Sequence, residues 1–338
     1  MRQGKQTWVF DQSLYLTSTG TTGGPLEKKG PLGSTIDKTY DQLYAGEKTW
    51  EKAERKLMRE AIDICLKNIN KKPDEIDFFF AGDLLNQTVT SNYIANELKI
   101  PYFGLFGACS TSMEALGLGA HFVDTGRADM VLTAVSSHNA SAERQFRNPT
   151  EYGGPKLGTT TFTVTGAGAS IVSRTPSPIK ITATTFGKVQ DWGITNASDL
   201  GSAMAPAAAD TIEQHFKDTG RKVTDYDMIV TGDLSSIGSP ILRELMWERG
   251  YDISMVHQDC GLMIYSPDQP VFAGGSGAAC SAVVTYSYLT QLLRKKEVKR
   301  IFVVATGALF NPTMIQQKES IPCIAHGVVL EAAEGGLG

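Results

Sequence analysis

The sequence predicts an α/β protein made of two tandem copies of one unit, with buried sheets and a cysteine-bearing helix in each copy. Three observations predict it. Segments that read as buried strands alternate with helical runs along the chain. VTDYDMIVTGDLSS (223–236) repeats PDEIDFFFAGDLLN (73–86), which sets Asp233 on Asp83 (233 − 83 = 150). GAACSAVVTYSYLTQLLRKKEVKRIFVVATG (277–307) repeats the stretch 106–137, setting Cys280 on Cys109 and Ile301 on Met130 (280 − 109 = 301 − 130 = 171). The change of offset implies an insertion of about 21 residues (171 − 150) in the second copy, placed within 250–272. The halves divide as 1–174 and 175–338. Each is expected to contribute a sheet, with the cysteine helices packed between the two in a layered α-β-α-β-α stack.

The elements follow in order. Residues 7–10 read as a first strand, and 20–33, rich in Gly and Pro, as loop. Residues 48–69 form the clearest amphipathic helix, with Trp50, Ala53, Leu57, Ala61, Ile64 and Cys65 on one face. A continuous apolar run at 76–81 reads as a buried strand, 91–98 as a short helix and 102–106 as an apolar segment leading to Cys109. After it, Met113, Leu116 and Ala120 share a helix face, and 129–135 is a buried strand. A polar loop, 138–158, precedes a β-rich stretch around glycines at 161–173, a strand at 179–189 and a helix at 205–218. The pattern then restarts, and SIPCIAHGVVLEA (320–332) echoes FTVTGAGASIVS (162–173) at the end of each half.

Composition excludes several functions. Charged residues are 20% of the chain and the net charge is −4, so nothing points to nucleic acid or to adsorption on anionic lipid. The longest apolar segments, such as 301–310, fall far short of the ~20 residues that span a bilayer, and no apolar core follows the first residues as in a secretory signal. The five cysteines are odd in number and form no CxxC pair, so neither a disulfide framework nor a metal site is expected, and no cofactor.

The candidate site gathers at the cysteine turn. A thiol at a strand-to-helix turn meets the unpaired N–H groups of the first helical turn, which favour the thiolate. Two helix starts in one cleft, with Ser110, Thr111 and Ser281 beside them, suit an anion. Asp83 and Asp233 end matched strands, and Ser136, Ser137 and His138 end the strand beside the cysteine helix. Each also has an ordinary use, in capping a turn or in hydrogen bonding within a loop. Phe106, Met113 and Leu309 are placed to supply an apolar slot.

These residues resemble the thiolase superfamily, ketoacyl synthases included, over nearly the whole chain. KKPDEIDFFFAGD resembles the family's strand after its first long helix, GACST (107–111) its nucleophile turn, and ADMVLTAVSS the strand that follows. CIAHG (323–327) is similar to the thiolase C-x-G-G-G turn, with His326 in place of a glycine beside the pocket. The resemblance implies the thiolase fold, a homodimer, and a nucleophilic role for Cys109 assisted by His and by a second His or Asn. Those partners do not carry over. GDLS (232–235) stands where a synthase has H-Q-A-N, GGSGAAC (274–280) where it has G-N-T-S-A-A-S, and the thiolase G-H-P motif is absent. His257, in HQD, falls 24 residues past the matching position (257 − 233).

GKQTWVF near the start, GPLGSTIDKTYDQLYAGEKTWEKAERKL, and HQDCGLMIY followed by AGGSG are similar, more narrowly, to a thiolase-like family of spore-forming bacteria. That resemblance implies a non-catalytic protein that binds dipicolinic acid (pyridine-2,6-dicarboxylate), with or without calcium, for uptake into the developing spore. It also implies peripheral residence at the forespore inner membrane with the other stage V proteins of its operon. The alternative is a Cys109-dependent acyltransferase or condensing enzyme.

Overall fold

The computed structural model describes residues 1–146 and 156–333, and within them the two expected sheets are hydrogen-bonded into one. In the first half β1 is Arg2–Gln3, β2 Thr7–Gly23, β3 Lys38–Thr39, β4 Phe78–Gly82 and β5 Tyr102–Gly104. They are followed by β6 Met130–Ser137, β7 Phe162–Thr163 and β8 Gly166–Ser173. The helices between them are α1 Pro25–Lys29, α2 Trp50–Lys67, α3 Val89–Leu98, α4 Thr111–Asp124 and α5 Asn139–Phe146. The second half begins with β9 Ile179–Phe186, α6 Leu200–Thr219, β10 Met228–Thr231, α7 Ser235–Glu248 and β11 His257–Asp259. It continues with α8 Cys260–Met263, β12 Gly275–Ser276, α9 Ala278–Val284, α10 Thr290–Arg294, β13 Arg300–Ala308, α11 Pro312–Gln316 and β14 Cys323–Ala332.

The main sheet runs β11-β10-β13-β14-β9-β2-β8-β6-β4-β5. Read outward from the β9–β2 junction the two sides match strand for strand, as a duplicated unit requires. Short parallel strands such as β4 (FFFAG) are buried on both faces and carry unbroken apolar runs. The junction is made by one long strand. β2 pairs antiparallel with β9 through Thr7–Val9 and Leu14–Tyr15, and with β8 from Tyr15 to Gly23. It is therefore 17 residues long where 7–10 was expected, and 20–23 are strand instead of loop. The rest of that glycine-rich stretch holds α1, whose buried Glu27 takes hydrogen bonds from Thr165 N–H and the Tyr265 hydroxyl.

α4 and α9 contact strands of both halves, while α2 and α3 cover the outer face of the first half and α6 and α7 that of the second. Three apolar cores result, a central one around Met113, Leu116, Val283 and Val303, and one under each outer pair. The outer helices start on the caps their sequences supply. Thr49 Oγ1 accepts from Lys52 N–H and Asp199 Oδ1 from Ser202 N–H.

The repeat holds, but its register is shorter than the cysteines suggested. At the pseudo-axis Ser112 Oγ and Ser281 Oγ bond to each other at 2.7 Å, 169 residues apart. The positive-φ residues that open the two helices, Ala108 and Gly277, have the same spacing (277 − 108 = 169). Cys109 thus matches Ala278, not Cys280. Past the helices the spacing is 170: Asp77 caps Asp129 N–H and Asp227 caps Lys299 N–H (299 − 129). The extra residue lies in a π-helical turn, Thr285–Leu289, that α4 lacks. The insertion is narrowed toward the end of its expected range. β11 pairs with β10 as β5 pairs with β4, so 257–259 belong to the repeat and most of the added chain follows Asp259. The loop expected at 138–158 contains α5, and its residues 147–155 lie outside the described residues.

Candidate functional site

Cys109 sits in a single 3-10 turn, Ala108–Ser110, that leads into α4. Its own side chains close this turn. Gly107 N–H donates to Thr111 Oγ1 (3.0 Å), Ser110 Oγ donates to Gly107 O (2.6 Å), and Thr111 Oγ1 donates to Ala108 O (2.7 Å). β13 passes directly beneath, and a Cβ at Gly307 would overlap the carbonyl oxygen of Gly107. The backbone approach needs glycine there.

The turn forms the floor of a small cleft of about 110 Å³. Leu84, Phe106, Phe146 and Phe310 give apolar walls, with Ser276 and Gly277 beside Cys109 and Ser198 opposite. Glu143 of α5 also faces the cleft and is paired with Lys156 Nζ at 3.0 Å.

Behind Cys109 lies Asp233, fully buried. Its Oδ1 accepts from Thr306 Oγ1 (2.7 Å) and its Oδ2 from the Gly277 N–H (3.0 Å) that opens α9. The Cys109 thiol lies against the same carboxylate. Burial pushes Asp233 up to about 7, against the donors from Thr306, Cys109 and Gly277. Burial, and then the neighbouring Asp233 charge, push the Cys109 thiol well above its usual range. This overturns the expected thiolate, because the helix-end field is outweighed by desolvation and by a nearby carboxylate. The paired anion-binding helix starts are corrected too, since Asp233 already occupies that of α9.

The remaining predicted residues lie elsewhere. Asp83 caps the start of α3, accepting from Leu85 N–H (3.0 Å), Ser91 N–H (2.8 Å) and Ser91 Oγ (2.7 Å). Ser136 Oγ donates to Glu54 (2.9 Å), as does Ser141 Oγ (2.9 Å). Burial and the charge of Asp83 raise Glu54 to about 8, so these groups form a separate polar knot. Ser137 Oγ donates to Val164 O (2.7 Å) and accepts from Ala279 N–H (3.1 Å). His138 Nε2 bonds Leu43 O (2.8 Å). His326 accepts from Gly187 N–H (3.3 Å), packs on Phe186, and is pushed down by burial to about 4. Among the eight predicted residues, Cys109 alone lines the cleft, Ser110 and Asp233 sit directly behind it, and the other five do not reach it. Of the apolar slot, Phe106 lines the cleft, Met113 is in the central core, and Ala308 and Phe310 flank the position given to Leu309. His257 bonds Thr231 (2.9 Å) at the far sheet edge.

Leu84, Glu143, Phe146, Ser198 and Phe310 were not anticipated. α5 carries two of them, and its apolar Ala140, Ala142 and Phe146 spacing was the available signal.

Gly232 and Gly275, the two glycines set against the synthase motifs, are crowded. A Cβ at Gly232 would lie 2.9 Å from Thr306 N, and one at Gly275 would lie 2.9 Å from Ile264 Cγ2 in the inserted segment. At Gly232 backbone stands in the way of a side chain, and at Gly275 the surrounding side chains would have to shift to admit one.

Solved structures share the fold. 3-Oxoacyl-[acyl-carrier-protein] synthase III of Aquifex aeolicus VF5 matches 94% of this chain and 99% of its own, with a TM-score of 0.57 and 15% identity. Cerulenin-bound OleA of Xanthomonas campestris matches 95% and 97%, with a TM-score of 0.61 and 15% identity. At such identities the likeness shows the thiolase-like fold alone. Sequence comparison is more specific. The stage V sporulation protein AD of Bacillus subtilis (strain 168) is 60% identical over 332 residues, 98% of each chain. The family model for stage V sporulation protein AD matches residues 4–331. With a thiolase-like fold throughout, the chain belongs to the stage V sporulation protein AD family.

Proposed function

We propose that this sporulation-family protein is a non-catalytic binder of dipicolinic acid (pyridine-2,6-dicarboxylate), holding it in the Cys109 cleft for uptake into the developing spore. The observation that carries this reading is the crowding at Gly232 and Gly275. The cleft has aromatic walls, while at the two positions where the resemblance would put proton-transferring or oxyanion-binding side chains this chain has glycines whose neighbours crowd any Cβ. Leu84, Phe106, Phe146 and Phe310 suit a flat ring, Lys156 stands near Glu143 at the wall, and the neutral thiol of Cys109 offers packing without nucleophilic attack. The described residues contain no helix long and apolar enough to cross a membrane, so work at the inner membrane would proceed through other sporulation proteins or a homodimer surface.

Calorimetric titration with pyridine-2,6-dicarboxylate tests the reading, with the 3,5-isomer as geometric control. Saturable binding of the 2,6-isomer that Cys109→Ala weakens supports it. Equal affinity for both isomers removes the cleft from the account. Turnover of an acyl group through Cys109 would replace binding by acyl transfer, the reading that the thiol–carboxylate contact keeps open.

A further inference from the structure

The carboxylate of Asp233 lies one side chain below the cleft floor, and among the described residues neutral donors hold it but no cationic side chain offsets its charge. The elements packed on it bring Cys109 from the turn before α4, Thr306 from β13, and Gly277 N–H with Cys280 from α9. Asp259 comes from β11, Cys260 from α8 and Cys323 from β14. Every titratable group in that set is an acid. Asp259, the nearest carboxylate, is itself buried and holds Thr231 Oγ1 with the N–H groups of Leu234 and Ser235. Glu143, on the cleft wall, differs in facing Lys156.

An anionic ligand seated on Cys109 and Gly277 adds a second negative charge over Asp233 in a largely dehydrated place. Like charges at short range disfavour joint ionisation. We infer, resting on the binding function proposed above, that the cleft takes its carboxylate ligand together with one proton, which lodges on Asp233. The proton comes from solvent and no covalent bond changes. Protonated Asp233 keeps one oxygen for Gly277 N–H and turns its O–H toward Thr306 Oγ1, which then gives up its own donation to the carboxylate.

In the free protein Asp233, held at about 7, is divided between its two forms near neutrality. Bound anion raises it further, so affinity is greatest below that pH and falls as pH rises, by up to about tenfold per unit. Asp233→Asn keeps an acceptor for Gly277 and a donor for Thr306, and removes the titration. Thr306→Val removes a donor that stabilises the ionised form, and moves the falling limb to higher pH.

The experiment titrates pyridine-2,6-dicarboxylate into the full chain from about pH 6 to pH 9, in two buffers of different ionisation heat. The expected result is uptake of close to one proton per ligand near pH 8, none in Asp233→Asn, and a shifted limb in Thr306→Val. Heats that are independent of buffer in the wild type, or proton uptake unchanged in Asp233→Asn, overturn the inference while leaving binding intact. If Asp233→Asn does not fold, an unshifted limb in Thr306→Val overturns it. Absence of binding at every pH overturns the binding function and the inference with it.

Discussion

The two helix starts at the centre of the molecule descend from one unit and are finished in opposite ways. Before α4 the turn is closed by its own residues, Gly107, Ser110 and Thr111, and Cys109 is left facing the cleft. Before α9 the turn is closed from outside. Asp233 takes the Gly277 N–H and Ser137 Oγ takes the Ala279 N–H. Both satisfy the orphan donors of a helix end. A self-capped start needs nothing from the rest of the chain, whereas an externally capped start has its N–H groups taken by side chains brought from other strands. The asymmetry between halves is therefore set by which residues complete each cap.

The largest test of that asymmetry uses acid. The second half buries three histidines, with His215 pushed down to about 3 and His257 and His326 to about 4, each chiefly by desolvation. Above the unfolded value of ~6.5 they are neutral in both states. As pH falls from ~6.5 toward about 4 the unfolded chain takes up protons that the folded chain refuses, so stability drops by about 1.4 kcal/mol per pH unit for each. Denaturant unfolding across this window should show that slope, and His326→Asn should remove about one proton's share. A slope untouched by the substitution would place the acid sensitivity elsewhere.

The next test exchanges the residues that open the helices. Ala108 has φ +52°, within reach of an L-residue, but Gly277 has φ +101° and a Cβ there would lie 2.8 Å from Ser137 Oγ. Gly277→Ala should cost about 3 kcal/mol and Ala108→Gly less than about 1, measured by unfolding midpoints. Equal costs would mean that the two starts are more alike than their caps indicate.

A smaller effect separates the thiols. Asp233→Asn removes a negative charge beside Cys109, so more thiolate forms and alkylation by iodoacetamide at about pH 8 should accelerate about tenfold. Cys65, on the inner face of α2 and raised to about 12 mainly by burial, should not respond. Mass mapping of the labelled peptides decides between them. Smallest is the axis itself. A double-mutant cycle of Ser112→Ala with Ser281→Ala should give a coupling of about 1 kcal/mol, and none if the pair is incidental.

Much of this arrangement was legible in the sequence. The duplication, most strands and the outer helix α2 follow from apolar periodicity and repeated turn residues, and Cys109 and Asp233 were both named. The register was not, because small residues at 276–282 slide without a packing penalty visible in sequence, and a π turn adds one residue inside an otherwise regular helical pattern. Glu54 had a readable signal that charge obscured. It lies four residues after Trp50 and three before Leu57, on the buried face, where it binds Ser136 and Ser141. The cleft walls were hidden for another reason. Leu84, Glu143, Ser198 and Phe310 come from four separate segments that only the folded sheet brings together.

The position of β2 has a consequence for synthesis of the chain. β2, translated well ahead of its long partners, lies in the middle of the finished sheet, between β8 and β9. Its two long partners end at residues 173 and 186, so apart from its ends, which meet the two-residue strands β1 and β3, the strand waits for more than 140 further residues to be translated (166 − 23 = 143). At ~5–20 residues per second that interval lasts on the order of ten seconds, during which an exposed strand edge invites pairing with other chains. Removing residues 1–24 would therefore cut the sheet in two rather than trim an edge.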